Sequence, residues 1–189
     1  MEYVIYRMMT DDRYQHKYRI APARLAGYDY GSNGMYFVTI CTQNRELYFG
    51  DVAITDQVAS LQPSAIGQVA IDCWHTIPVF HPYVELDAFQ LMPNHLHGIL
   101  WICKPPQDQT DWQPAQFGPQ THNLASIIRG YKSAVKTYAT TNKIDFGWQA
   151  SYHDRIVRNQ NEAGRIQTYI DKNPAQWATD RDNQAGLYM

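Results

Sequence analysis

The chain has 189 residues, 44% hydrophobic and 18% charged, which is enough apolar material for one domain-sized core and too much for a disordered or coiled-coil chain. No apolar run approaches the ~18 residues of a membrane span, and the N-terminal stretch mixes charges into its apolar residues, unlike a secretory signal. Sixteen basic against eighteen acidic residues give a net charge of -2, which at face value argues against a nucleic-acid binder. Residues 1–28 read as a polar, basic arm (Arg13, Lys17, Arg19, Arg24), 29–179 as a single domain, and 180–189 as a tail. After a Gly31-Ser32-Asn33-Gly34 turn, the β-branched and aromatic run 35–42 predicts a buried strand. Apolar residues at helical spacing over 65–77 predict a helix stopped by Pro78. Residues 84–92 and 95–102 predict two strands joined at Pro93-Asn94, and 104–122, with four prolines, a long loop. Leu124, Ile127, Ile128, Tyr131, Val135 and Tyr138 mark one face of a helix over 124–138. An extended piece at 150–157 and a last helix over about 162–172 complete the order. The first six elements fit an α+β, ferredoxin-like β-α-β-β-α-β plan: an antiparallel sheet with two helices on one face, and a C-terminal helix free to lie on the other.

Within that plan, His95 and His97 sit two apart on a strand and point to one face. Two imidazoles on a rigid strand can hold one divalent metal, although His-x-His is equally the pattern of ordinary surface or core histidines. Cys103 shares the same strand face but lies six residues beyond His97, roughly 20 Å along a strand, so the three do not make a zinc site. Cys41, Cys73 and Cys103 form no paired framework and read as reduced thiols of a cytoplasmic protein. His75 and His81 read as surface or packing residues, His122 as the residue leading into a helix, and His153 has no assigned role.

On the last helix, Ile166 and Ile170 mark the apolar stripe, and Tyr169 falls at its border with Arg165 and Lys172. Asn173 lies one turn on and can address the same site. By pattern alone Tyr169 is either an amphipathic edge residue or a nucleophile, and Asn173-Pro174 is equally good N-cap chemistry for a new short helix through Trp177. Tyr131 and Tyr138 are core candidates, and Tyr152 is a rival nucleophile.

Taken together, these motifs are recognisable. Met92-Pro93-Asn94-His95-Leu96-His97-Gly98-Ile99 resembles the signature of HUH-type single-tyrosine transposases, and most closely that of the REP-associated tyrosine transposases. The likeness continues through Gly27-Tyr28-Asp29-Tyr30 and the strand 36–42, Trp148-Gln149 with Tyr152 and Asp154, and Tyr169-Ile170-Asp171-Lys172-Asn173-Pro174, in order over about residues 19–178. Many insertion-sequence relatives carry Gln where Asn173 stands, which favours the REP-associated branch. The resemblance implies His95, His97 and Asn173 as ligands of Mg or Mn and Tyr169 as the nucleophile. It also implies a 5′-phosphotyrosine intermediate in the cleavage and rejoining of single-stranded DNA bearing hairpins or palindromic repeats. No membrane partner is expected, and relatives include both homodimers and monomers.

Arg129, Lys132, Lys136, Arg165 and Lys172 are the candidate DNA contacts. The net charge conceals them: residues 46–111 hold eight acids against one lysine, whereas 123–173 hold eight bases against four acids. Local field, not total charge, governs attraction to DNA. Three rival readings are a hairpin-binding protein that does not cut, a small-substrate metal hydrolase using Asp87 as third ligand, and a plain RNA-binding module. The first has no need of His95, His97 and Tyr169 together, and the last would carry aromatics where this strand carries histidines.

Overall fold

The computed structural model describes residues 28–106 and 122–179, so most of the basic arm, most of the proline-rich loop and the tail lie outside the described residues. Strand β1 (Gly34–Cys41) occupies the middle of a four-stranded sheet. The β2 (Gly50–Thr55) and β3 (Val58–Pro63) hairpin follows, then α1 (Ala65–His75) and a one-turn α2 (Ile77–Phe80). Strands β4 (Val84–Met92) and β5 (His95–Ile102), helix α3 (Leu124–Thr141), β6 (His153–Val157) and α4 (Gln160–Gln176) complete the chain. The sheet order is β4-β5-β1-β6, with every neighbouring pair antiparallel. This is the predicted ferredoxin-like arrangement, with the β2–β3 hairpin and α4 added to it.

Side-chain alternation sorts the two faces. Tyr36, Val38 and Ile40 of β1 and Leu96, Leu100 and Ile102 of β5 join Ile66, Ala70 and Trp74 of α1 and Ile127, Ile128, Tyr131 and Val135 of α3 in the main core. Met35, Ile99 and Val157 point the other way and meet Ala163 and Ile170 of α4 in a second, smaller core. Strand β5 is therefore covered on both faces, and seven of its eight residues are buried. Such double coverage explains its nearly continuous apolar run.

Helix ends follow their caps. The Ser64 side chain accepts the Gly67 N–H to open α1. That helix ends at His75, two residues short of the predicted stop, where the Thr76 hydroxyl returns to the Asp72 carbonyl. Asn123 and Ser126 form a reciprocal capping box for α3, which runs to Thr141 rather than residue 138. Asn159 caps α4 by accepting from the Glu162 N–H. Asn173 does not open a new helix: α4 continues through it and Pro174 to Gln176. Pro174 sits in the last turn, where its missing N–H costs a single hydrogen bond near a helix end that frays in any case.

The β2–β3 hairpin is absent from the sequence reading. Asp56 and Gln57 turn it with positive φ at both positions, the conformation of a type I′ turn without its usual Asn-Gly signature. Its outward residues Ile54 and Val58 are exposed, which blurs the alternation. No helix among the described residues is long and apolar enough to cross a membrane.

Helix α1 and the sheet approach closely at Gly98 of β5. A Cβ there would overlap the indole ring of Trp74, a fully buried side chain stacked on Phe89 with ring centroids 5.0 Å apart. Gly98→Ala should therefore cost about 1–3 kcal/mol through overpacking, read as a lower urea midpoint at unchanged m-value.

Candidate functional site

His95 and His97 project from β5 toward α4, across from Cys41 and Thr39 of β1 in the antiparallel register. Both are buried. Each ring is fixed through its Nδ1. The His95 Nδ1 lies 2.8 Å from the Asn94 side-chain oxygen, and the Asn94 amide in turn donates to the Arg45 carbonyl at 3.1 Å. A carboxamide oxygen only accepts, so the His95 Nδ1 carries the hydrogen and its Nε2 presents a lone pair. The His97 Nδ1 lies 2.8 Å from the Thr39 hydroxyl. With both Nδ1 atoms committed, the two Nε2 atoms turn to the same point, 3.1 Å apart. Burial, reinforced by the nearby Arg45 guanidinium, pushes the His95 imidazole down to about 3. It is therefore neutral at pH 7, the form in which imidazole binds metal.

Helix α4 brings Tyr169 to this pair. The phenol oxygen is 3.2 Å from the His97 Nε2, while the Tyr169 side chain is 44% exposed. Phe37 stacks on His97 at 5.6 Å between centroids and meets the Tyr169 ring edge-on at 6.4 Å. Trp177, just past the end of α4, lies 6.1 Å from the His95 ring. One turn beyond Tyr169, Asn173 is buried in α4, and its Oδ1 has no hydrogen-bond partner among the described residues. An orphaned buried oxygen costs free energy unless something binds it. The two imidazole nitrogens, with the Asn173 carboxamide oxygen one turn from Tyr169, have the chemistry that suits a divalent cation accepting nitrogen and oxygen ligands. The 3.1 Å spacing of the nitrogens is compatible with both lying ~2.0–2.1 Å from one ion.

Two polar ties hold α4 in register with the sheet. Arg155 of β6 pairs with Glu162 at 2.5 Å, and the Gln167 amide donates to both Asp87 oxygens at 2.9 and 3.0 Å. Asp87 falls where the β4–β5 register shifts between Leu86 and Phe89. Its carboxylate is thus occupied by α4 and by the Ala88 N–H. No group of three His, Cys, Asp or Glu able to hold a metal occurs among the described residues. Asp87 is thus engaged by Gln167 and Ala88, and is not grouped with the histidines as a third ligand. Cys103 likewise stays apart, exposed past the end of β5.

The remaining sequence candidates divide between the two faces. Arg165 and Lys172 are exposed on α4, beside Tyr169. Arg129, Lys132 and Lys136 lie on α3, behind the sheet, where with Trp148 and Tyr152 they line a groove of about 440 Å³. The Lys132 ammonium donates to the Gln149 carbonyl at 2.6 Å and the Lys136 ammonium to that of Phe146 at 2.5 Å. Tyr152 belongs to this far groove, not to the histidines. Tyr131 is buried in the main core, which pushes its phenol well above the ordinary range. Sequence reasoning missed Thr39, Asn94 and Phe37. Asn94 reads as turn chemistry alone, and a cross-strand partner such as Thr39 has no signal in spacing along one strand. Asn94→Ala would strand the His95 Nδ1 and should cost about 1–3 kcal/mol in chemical denaturation.

No family model matches the chain. Among solved structures, its fold is similar to that of a REP-associated tyrosine transposase bound to a REP hairpin. The alignment covers 85% of this chain and 73% of that one, with a TM-score of 0.52 at 18% identity. In sequence, the chain is 37% identical over 166 residues to an uncharacterized protein of Haemophilus influenzae, covering 84% of this chain and 89% of that protein. Identity of that degree over nearly the full length of both establishes common descent, and the chain belongs to the same family as this Haemophilus influenzae protein.

Proposed function

We propose that the protein is a DNA transposase that cleaves and rejoins hairpin-bearing single-stranded DNA, with Tyr169 as nucleophile. His95, His97 and Asn173 would hold the divalent ion, Mg²⁺ or Mn²⁺. The observation that carries this reading is the approach of the Tyr169 oxygen to 3.2 Å from the His97 Nε2, itself 3.1 Å from the His95 Nε2. A phenol and two imidazoles meet between α4 and the sheet, and an unpartnered buried amide oxygen lies one helical turn from the phenol. The fold shared with a transposase solved on a REP hairpin supports the choice of nucleic acid as substrate.

When bound, the ion supplies Lewis-acid polarisation of a non-bridging phosphate oxygen. The chain's own residues do the rest. Asn94 and Thr39 hold the two imidazoles with their Nε2 atoms together, the orientation in which they would share the ion. Tyr169 attacks phosphorus through its phenol oxygen, forming the P–O bond of a 5′-phosphotyrosine as the 3′-oxygen leaves and is protonated to a hydroxyl. The phenolic proton departs to water, which reaches the half-exposed ring. A free tyrosine has a pKa of about 10 and is a weak nucleophile at neutral pH, so activation would fall to the ion and to basic neighbours on α4 such as Lys172. The phosphotyrosine conserves the ester bond's free energy, so a second 3′-hydroxyl can reverse the attack and join a different strand.

Arg165 and Lys172 would meet phosphates beside the cleaved bond. Arg129, Lys132 and Lys136, with Trp148 and Tyr152, offer a second phosphate-and-stacking surface behind the sheet. The three free cysteines fit a reducing, cytoplasmic setting.

Purified protein with Mn²⁺ and a hairpin-bearing single-stranded oligonucleotide should give a covalent adduct on a denaturing gel. Tyr169→Phe should reduce that adduct to background; persistence of the adduct means another residue attacks. His95→Ala should abolish cleavage while the far-ultraviolet circular dichroism stays unchanged, and undiminished cleavage would refute the histidine pair as ligands. Separately, Thr39→Val should weaken Mn²⁺ binding by roughly 10- to 100-fold in calorimetric titration, because the His97 ring loses its orienting partner.

A further inference from the structure

Beside Tyr169, residues of β1, β6 and α4 line an open cavity of about 350 Å³. Its lining residues are Phe37, Arg155, Glu162, Arg165, Ile166 and Tyr169. The volume lies at the small end of ligand-sized cavities. Two aromatic rings and an isoleucine give it an apolar wall. Its charges do not cancel. Glu162 is buried and neutralises Arg155 at 2.5 Å, and it also accepts the Arg158 backbone N–H at 3.0 Å. Arg165, exposed on α4, forms no ion pair among the described residues. The cavity therefore combines an apolar wall, with the Phe37 ring set edge-on to that of Tyr169, and one uncompensated guanidinium. A planar, singly anionic ligand matches it: one nucleotide, with its base against Phe37 and Ile166 and its phosphate on Arg165. The cavity shares the Tyr169 side chain as a wall, so its occupant is next in line to any phosphate that Tyr169 attacks.

We infer that the Phe37–Arg165 cavity receives the nucleotide adjoining the cleaved phosphodiester and reads the presence of its base. Phe37 is then a specificity-determining residue, and Arg165 a positioning residue that fixes the flanking phosphate. This assignment rests on the transposase reading and adds to it a contact made by protein, not by base pairing within the DNA.

The test is an abasic scan. Full-length protein with Mn²⁺ is given hairpin-bearing single-stranded oligonucleotides in which each nucleotide around the cleavage point is replaced in turn by an abasic residue, and the rate of adduct formation is measured. One abasic position adjoining the cleaved bond should slow the wild-type protein about tenfold or more. In Phe37→Leu that same position should become nearly neutral, while sensitivity at all other positions is retained. The quantity read is the ratio of rates on intact and abasic DNA, so a general loss from disturbing the His97 stack cancels. Arg165→Gln should raise the half-saturating DNA concentration about tenfold with little change in the saturated rate. An adduct that forms with less than twofold sensitivity at both adjoining positions, or a Phe37→Leu protein with the wild-type ratio, overturns the cavity assignment alone. Absence of any adduct in the wild-type protein overturns the transposase reading and the cavity assignment with it.

Discussion

The site depends on holding two imidazoles edge to edge, Nε2 against Nε2, inside protein. Their Nε2 atoms lie 3.1 Å apart on a strand covered on both sides. Isolated rings would rotate to find water or separate partners. Here each is pinned by an oxygen at its other nitrogen, and the two oxygens come from opposite directions. Asn94 belongs to the turn that starts β5, and Thr39 to the neighbouring strand. The ring orientation is therefore set by the sheet register itself. A one-residue slip between β1 and β5 would move Thr39 to the other face and release His97. The order of the strands, the tight β4–β5 turn and the capping of the sheet by α4 all serve this one constraint.

Much of that frame was readable in the sequence because it rests on local periodicity. The alternation in 35–42 and 95–102 and the helical spacing in 65–77 and 124–138 located four main elements to within about three residues. His95 and His97 could be placed on one face for the same reason. What depends on contacts across the sheet could not be read. Thr39 is 58 residues from His97 in sequence, and nothing in its neighbourhood announces the pairing. Asp87 is a candidate third ligand in the sequence; its engagement with Gln167, 80 residues away, is visible only once α4 is laid on the sheet. Asn173-Pro174 misled for a different reason. The pair has ideal capping chemistry, and local preference gave way to a helix already held by burial of Ile170 beneath it.

Charge shows a related contrast between average and arrangement. The near-neutral total conceals two cationic regions separated by the thickness of the sheet. One flanks Tyr169 on α4. The other lies on α3, where two lysines are tethered to main-chain carbonyls at 2.5–2.6 Å. Tethering narrows the range each ammonium can sweep and fixes where positive charge is presented. A ligand in contact with both regions would have to pass around the edge of the sheet.

The contact between Gly98 and Trp74 bears on the site from behind. Gly98 directly follows His97, and the indole of α1 rests on the strand at the one place where no side chain intervenes. The indole acts as a backstop. A side chain at Gly98 would press on that indole, and the strand segment carrying His97 would have to shift with it. The main core thereby gauges the geometry of a site that it does not touch.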